Sequence, residues 1–164
     1  MAVQGVMRQI HSFLGTKPMG YFYVGEVGAG FPSPAERWRE RSLDLNDLLQ
    51  MHPEATFFML VRGESMKGVG IYDRDLVVVD RALQATHGNI IIALVNGGFS
   101  IKQLRILSDG SMELASAHPR FPPLVITPRV SFEVWGVVTF VLHSVHPSAS
   151  LKSRLYRFLR QKNL

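Results

Sequence analysis

The sequence predicts a mainly β protein: a compact, curled antiparallel β domain with an extended N-terminal arm and a short C-terminal helix. Six short runs are apolar or alternate between apolar and polar residues, and Gly, Asp, Asn and Pro separate them. We expect strands over residues 56–61, 76–79, 90–95, 99–107, 111–115 and 134–145. The tripeptide Asn96-Gly97-Gly98 between the third and fourth runs is a strong hairpin signal.

The composition divides the chain into three segments. Residues 1–29 carry few charges and show no sustained helical or strand period, so we expect an extended arm. Two closely spaced prolines then mark the start of the β domain, residues 30–147. A short helix over residues 44–50, which Asp44 could cap, precedes the strands. Residues 148–164 form the C-terminal tail.

The net charge of +5 belongs to this tail. Five of the 18 Lys and Arg residues lie there, and the other 13 balance the 13 Asp and Glu residues of the chain. The tail reads as a basic amphipathic helix, with leucines and a phenylalanine on one face and arginines on another. Such a helix can contact phosphate, dock against a partner helix or remain solvated at the end of the chain. Direct DNA binding therefore stays open.

Composition excludes several classes of function. With 164 residues and 46% apolar content, the chain suits one domain with a sizeable core. The absence of cysteine excludes a disulfide framework, a thiolate zinc site and a cysteine nucleophile. His143 and His146 lack a carboxylate or thiolate companion, so we expect neither metal nor cofactor. Without a run of about 18 apolar residues or a targeting signal, we expect a cytoplasmic protein and no membrane association.

Ser65 and Lys102 are the residues that could carry chemistry. Ser65 lies in the glycine-containing turn 63–66, and strand alternation places Lys102 on one face with apolar neighbours such as Leu104. A serine nucleophile needs a base that is neutral near the working pH, and a desolvated lysine has a lowered pKa. The structural alternatives are a serine that only forms the turn and a surface lysine whose stem covers apolar side chains. If the two residues meet, they predict a hydrolase, in which the backbone N–H groups of Ser65 and Met66 stabilise an oxyanion.

The Ala29-Gly30 bond is a third candidate element. It lies in a stretch of small residues immediately before the two prolines. Proteolysis needs an extended backbone with room at the scissile bond, and this dipeptide supplies both. From composition alone, an ordinary flexible linker is the preferred interpretation.

Eight motifs follow one another between residues 28 and 143. They are Gly30-Phe31-Pro32-Ser33-Pro34-Ala35, Leu43-Asp44-Leu45-Asn46-Asp47-Leu48-Leu49, His52-Pro53-Glu54-Ala55-Thr56, Gly63-Glu64-Ser65-Met66, Asp75-Leu76-Val77-Val78-Val79-Asp80, His87-Gly88-Asn89-Ile90, Phe99-Ser100-Ile101-Lys102 and Phe132-Glu133-Val134-Trp135-Gly136-Val137-Val138. In this order they resemble the UmuD-like branch of the LexA-like self-cleaving serine peptidases. Arg74 stands where that family often has glycine, and residues 1–25 have no clear counterpart.

The resemblance implies a residue-by-residue assignment. It makes Ser65 the nucleophile, Lys102 the general base and Ala29-Gly30 the bond that the protein cuts in its own chain. It also implies stimulation by the RecA filament on single-stranded DNA. The trimmed product would be a homodimer that assists an error-prone Y-family polymerase, the UmuC-like catalytic subunit, in translesion synthesis during the SOS response.

Three other functions remain to be compared with this one. The first is a non-catalytic dimeric module that keeps the fold and binds polymerase or DNA. The second is signal-peptidase-like processing of other proteins, against which the missing membrane anchor argues. The third is a LexA-type repressor, for which a helix-turn-helix module of about 60 residues would have to precede the cleavage bond.

Overall fold

One open antiparallel sheet of seven strands is the main element of the described residues. The computed structural model describes residues 21–23, 40–42, 45–146 and, in the tail, residues 153, 154 and 157. The elements are β1 (Tyr21–Tyr23), β2 (Glu40–Ser42), α1 (Leu45–Leu49), β3 (Thr56–Leu60), β4 (Leu76–Asp80), β5 (Ile90–Val95), β6 (Gly98–Ile106), β7 (Met112–Ala115), β8 (Leu124–Val125) and β9 (Phe132–Leu142). Seven of the described strands form the sheet, in the order β3-β4-β9-β5-β6-β7-β8. The expected mainly β, antiparallel fold is confirmed.

Each of the six predicted runs contains a strand, and their ends differ from the prediction by a few residues. The hairpin between β5 and β6 has the expected turn, in which Asn96 and Gly97 adopt φ angles of 47° and 81°. Positive φ at both central residues is typical of the type I′ turn, whose twist matches that of the strands. Val95 consequently pairs with Gly98, which sets the register of the hairpin.

Three strands were not predicted. β8 has two residues and follows two prolines, so it is too short to show a period. β1 and β2 have three residues each and pair antiparallel with each other, from Tyr21 opposite Ser42 to Tyr23 opposite Glu40. The arm therefore contains a paired strand. Three residues are too few to show the alternation by which a strand is predicted. The proposed cap Asp44 and the Ala29-Gly30 bond lie outside the described residues.

β4 is the most buried strand of the sheet. All five of its residues are buried, and it pairs with β3 on one side and β9 on the other. Its alternating side chains enter two different clusters: Val77 and Val79 pack with Met66, while Leu76 and Val78 pack with the α1 residue Leu49. Because both faces of β4 contact apolar residues, its sequence is a continuous apolar run and does not alternate with polar residues.

Two buried aspartates mark the ends of β4. Asp75 Oδ1 lies 2.6 Å from His143 Nδ1, and Asp80 Oδ2 lies 2.7 Å from His52 Nδ1. The second oxygen of each carboxylate accepts a backbone N–H, from Tyr72 and from Ala82 respectively. Because both carboxylates are only 1–2% exposed, these hydrogen bonds offset the loss of water.

Arg74 adopts the conformation that the family's glycine would favour. Its φ is 72°, in the left-handed region, which costs a residue with a Cβ about 1–2 kcal/mol. Its N–H donates to Val61 O, and its guanidinium Nε lies 3.3 Å from Asp73 Oδ2. These contacts hold Arg74 in the left-handed conformation in the turn that leads into β4.

Gly68 holds the loop between β3 and β4 against the rest of the domain. Its N–H donates to Ala117 O at 2.7 Å, and a Cβ at this position would lie 2.5 Å from the same oxygen. Neither backbone can give way at small cost. The loop that contains Ser65 is thus positioned by a contact that only glycine allows.

We expect Gly68→Ala to lower the free energy of unfolding by about 1–3 kcal/mol, because the added methyl overpacks a backbone contact. Chemical denaturation measures the change. Gly98→Ala is the matched control, since the nearest atom to its Cβ would be Val95 O at an ordinary 3.6 Å. Equal stability of the two variants would contradict the role given to Gly68.

Candidate active site

The loop after β3 presents Ser65 between two fixed points. On one side, Gly63 adopts a φ of 89°, and its N–H donates to Asp73 Oδ1 at 2.8 Å. On the other side, Met66 is 1% exposed and inserts into the core cluster with Val77 and Val79. Ser65 itself is half-buried. A glycine turn followed by a core methionine therefore gives the serine a fixed position at the surface.

Lys102 reaches this serine from β6. It lies opposite Ile91 in the β5–β6 ladder, and its strand neighbour two residues on, Leu104, is 2% exposed. Lys102 Nζ lies 3.4 Å from Ser65 Oγ, although 37 positions separate the two residues. The structure thus brings together the two residues that the sequence singled out, and their catalytic roles stay a prediction.

The surroundings of Lys102 favour its neutral form. Burial lowers the pKa of the Lys102 ammonium below its usual 10.5, because the charged form loses water. A larger fraction of the amine is therefore neutral at any given pH, and only a neutral amine accepts a proton. A separation of 3.4 Å is compatible with this role, since catalytic hydrogen bonds are often long before substrate binds.

The backbone beside Ser65 offers two donors. In the part of the chain that the structure describes, the N–H groups of Ser65 and Met66 have no acceptor, whereas the next N–H, of Lys67, donates to Glu64 O. Two adjacent N–H groups without partners, next to a serine hydroxyl, match the requirements of an oxyanion hole. This assignment remains a prediction.

A cleft opens beside the serine. Its volume is about 300 Å³, and its walls come from the end of β3 and the start of β6. Seven of its ten lining residues are apolar, while polar and apolar atoms share its exposed surface about equally. The lining residues are Met59, Leu60, Val61, Arg62, Ser65, Val77, Ile92, Phe99, Ser100 and Ile101. Its shape and composition suit a short stretch of polypeptide with small or apolar side chains.

An aromatic contact supports one wall of this cleft. Phe99 packs edge-on against Trp135 with ring centroids 5.5 Å apart, and Trp135 also meets Phe57 at 5.1 Å. Trp135 is 9% exposed and belongs to the core. Arg81 stacks over the indole at 4.8 Å.

Several features of the site were not predicted. Arg62 and Phe99 line the cleft, but neither is marked by a motif of its own. The His52–Asp80 and His143–Asp75 pairs also went unpredicted, because each joins residues that are distant in sequence. Within the described residues, no three His, Cys, Asp or Glu side chains group as metal ligands would. None of the described helices has the length and apolarity needed to cross a bilayer.

Comparison with known sequences identifies the class of protein. The sequence model of the Peptidase S24-like family matches residues 21–139, most of the chain and all of the site. The chain belongs to the Peptidase S24-like family.

Individual relatives define the branch of the family. The chain is 41% identical to protein MucA of Escherichia coli over 122 residues, which cover 74% of this chain and 82% of MucA. It is 44% identical to protein ImpA of Shigella flexneri over 121 residues, 74% of this chain and 81% of ImpA. Identity to the LexA repressor of Proteus mirabilis is lower, at 31% over 143 residues, 87% of this chain and 70% of that repressor. The chain is therefore a UmuD/MucA-like member of the family.

We expect Lys102→Met to raise the thermal unfolding temperature at pH 7. The protonated lysine is penalised by burial in the folded state, and methionine removes that penalty while keeping an apolar stem. The penalty disappears as the lysine loses its proton in the folded state. The difference between the variant and the wild type should therefore shrink as the pH approaches 10.5, the pKa of an ordinary lysine.

Thermal unfolding between pH 7 and pH 10.5 tests this expectation. Lys67→Met is the matched control, because Lys67 is exposed and its replacement should show no such trend. A Lys102→Met protein that is less stable than the wild type at pH 7 would contradict the desolvation of Lys102.

Proposed function

We propose that this protein is a self-cleaving Ser/Lys peptidase that cuts its own Ala29-Gly30 bond. The observation that carries the proposal is the 3.4 Å approach of Lys102 Nζ to Ser65 Oγ beside an open cleft. Membership of the Peptidase S24-like family supports peptide hydrolysis as the reaction. Ser65 is the nucleophile and Lys102 the general base.

The reaction has two stages. Neutral Lys102 removes the proton from Ser65 Oγ, which attacks the carbonyl carbon of Ala29, and the backbone N–H groups of Ser65 and Met66 stabilise the oxyanion. Lys102 then donates that proton to the amide nitrogen of Gly30, which leaves as a new N-terminus. Water, deprotonated by the same lysine, hydrolyses the Ala29 ester of Ser65 and restores both side chains.

The position of the bond suits an intramolecular target. Ala29 and Gly30 fall in the 16-residue connection between the paired strands β1 and β2. Small side chains at both positions let the backbone approach the serine closely. An arm of 29 residues is long enough to reach a site on its own domain or on that of a second copy.

The biological setting rests on the UmuD/MucA-like similarity. We propose that the RecA filament on single-stranded DNA stimulates the cleavage during the SOS response. The processed product, residues 30–164, forms a homodimer in the cytoplasm and serves as the accessory subunit of a Y-family, UmuC-like polymerase in translesion synthesis. The identities of 41% and 44% to MucA and ImpA support this assignment.

Purified wild-type protein should release a fragment that begins at Gly30, at a rate that rises with pH. The rate should increase about tenfold per pH unit below the pKa of Lys102 and level off above it, because only the neutral lysine acts as base. Since burial lowers that pKa, the plateau should begin below pH 10.5. Mass spectrometry of samples incubated at different pH values, with and without activated RecA, measures the fragment.

Three variants separate the roles in this reaction. Ser65→Ala and Lys102→Ala should give no fragment, and Lys102→Arg should also fail, because an arginine stays protonated at every pH tested. Lys67→Ala, in the same loop but with an exposed side chain, should cut at the wild-type rate. If Lys102→Arg cleaved as fast as the wild type, the base would be another group.

The non-catalytic module remains the alternative, and a mutagenesis assay in cells distinguishes it. Under the proposed function, Ser65→Ala loses activity, and a chain that begins at Gly30 and carries the same substitution recovers it. If full-length Ser65→Ala and Lys102→Ala worked as well as the wild type, binding without cleavage would be the function.

A further inference from the structure

The cleft beside Ser65 carries one cation on its wall. Arg62 follows the buried Val61, which is 6% exposed, and precedes Gly63. Arg62 is exposed and is one of the residues that line the cleft, together with Ser65 and Phe99. A cationic residue in the lining of the cleft gives the site a charge preference.

Arg62 has no carboxylate partner among the described residues. The salt bridges in that part of the chain join other groups, and the Asp73 carboxylate is already engaged. Its Oδ1 accepts the N–H of Gly63, and its Oδ2 faces Arg74 Nε. Arg62 is therefore available to a carboxylate that enters the cleft from elsewhere.

The segment before the Ala29-Gly30 bond contains one suitable carboxylate. It reads Val24-Gly25-Glu26-Val27-Gly28-Ala29, and Glu26 is the only acidic residue among the first 35 of the chain. In an extended segment, Glu26 and Val27 point to opposite sides. Bound in an extended form, the segment would present an acidic side chain on one side and an apolar one on the other.

The spacing agrees with this arrangement. Glu26 precedes Ala29 by three residues, about 10 Å in an extended chain. Arg62 likewise precedes Ser65 by three residues in its loop, and an arginine side chain is long and flexible. With Ala29 at Ser65, a carboxylate at position 26 comes within the reach of a guanidinium at position 62.

We propose that Arg62 is a specificity-determining residue that binds the carboxylate of Glu26 and so aligns the arm for cleavage. This inference rests on the proposed function, because it assumes that the Ala29-Gly30 bond is the substrate. The pair holds the engaged arm in the cleft and takes no part in proton transfer. It works equally for an arm from the same chain and for one from a second copy.

Charge exchange tests the pair. Arg62→Glu and Glu26→Arg should each slow release of the fragment beginning at Gly30 by about threefold to tenfold, since each turns a partly solvated attraction into repulsion. The double variant should cut within about twofold of the wild type, because the attraction is restored in reverse. Lys67→Glu changes the charge of the same loop outside the cleft and should leave the rate unchanged.

The assay is best run at pH 9 to 10. There the arginine and glutamate side chains stay charged, while a growing fraction of Lys102 is neutral. Adding 1 M NaCl shortens the Debye length to about 3 Å and should reduce the gap between the single variants and the wild type.

Different results would contradict the Arg62–Glu26 pair and the self-cleavage on which it rests. If the wild type and the Lys67→Glu control cut, but the double variant is slowed by the product of the two single effects, the Arg62–Glu26 pair is wrong and the peptidase stands. If no variant and no wild-type sample releases a fragment beginning at Gly30, the proposed function is wrong and the pair falls with it.

Discussion

The approach of Lys102 Nζ to within 3.4 Å of Ser65 Oγ is the constraint on which the rest of the site depends. A serine hydroxyl and a lysine ammonium have no reactivity toward a peptide bond unless the lysine is neutral and within reach. The fold meets both conditions through separate devices. The β5–β6 hairpin places Lys102 in half-buried surroundings, which lowers its pKa, and Met66 fixes the loop that presents the serine. The hairpin and Met66 thus set the properties of a serine and lysine pair to which neither contributes a reacting group.

A substrate within the same chain changes what the site has to achieve. Tethering replaces a bimolecular encounter by an effectively intramolecular one, so binding energy is needed for alignment and not for capture. An open cleft of about 300 Å³ with Arg62 in its lining is suited to that task. Under the proposed function, the protein acts once on its own arm, and the cut exposes a chain that begins at Gly30.

The predictability of the fold follows the range of the interactions involved. Strands such as β4 and the Asn96-Gly97 turn follow from alternation, apolar runs and turn chemistry, all of which act within a few residues. β1, β2 and β8 have two or three residues each, and no period can be read from so few. The conformation of Arg74 could not be predicted from its sequence either, because neighbouring contacts set its left-handed φ and arginine has no preference for that region.

By itself, the sequence determined the mainly antiparallel β fold and the chemical types at the site: a serine in a glycine turn and a lysine in an apolar strand. Those features depend on residues that are close in sequence, so turn chemistry and strand alternation are enough to recognise them. Only the tertiary structure decided that Lys102 and Ser65 meet across 37 positions, and that Arg62 lines the cleft beside them. Both results depend on how the loop after β3 packs against the start of β6. That packing is set by the whole core, through Met66 and Trp135, and leaves no pattern in any single stretch of the chain.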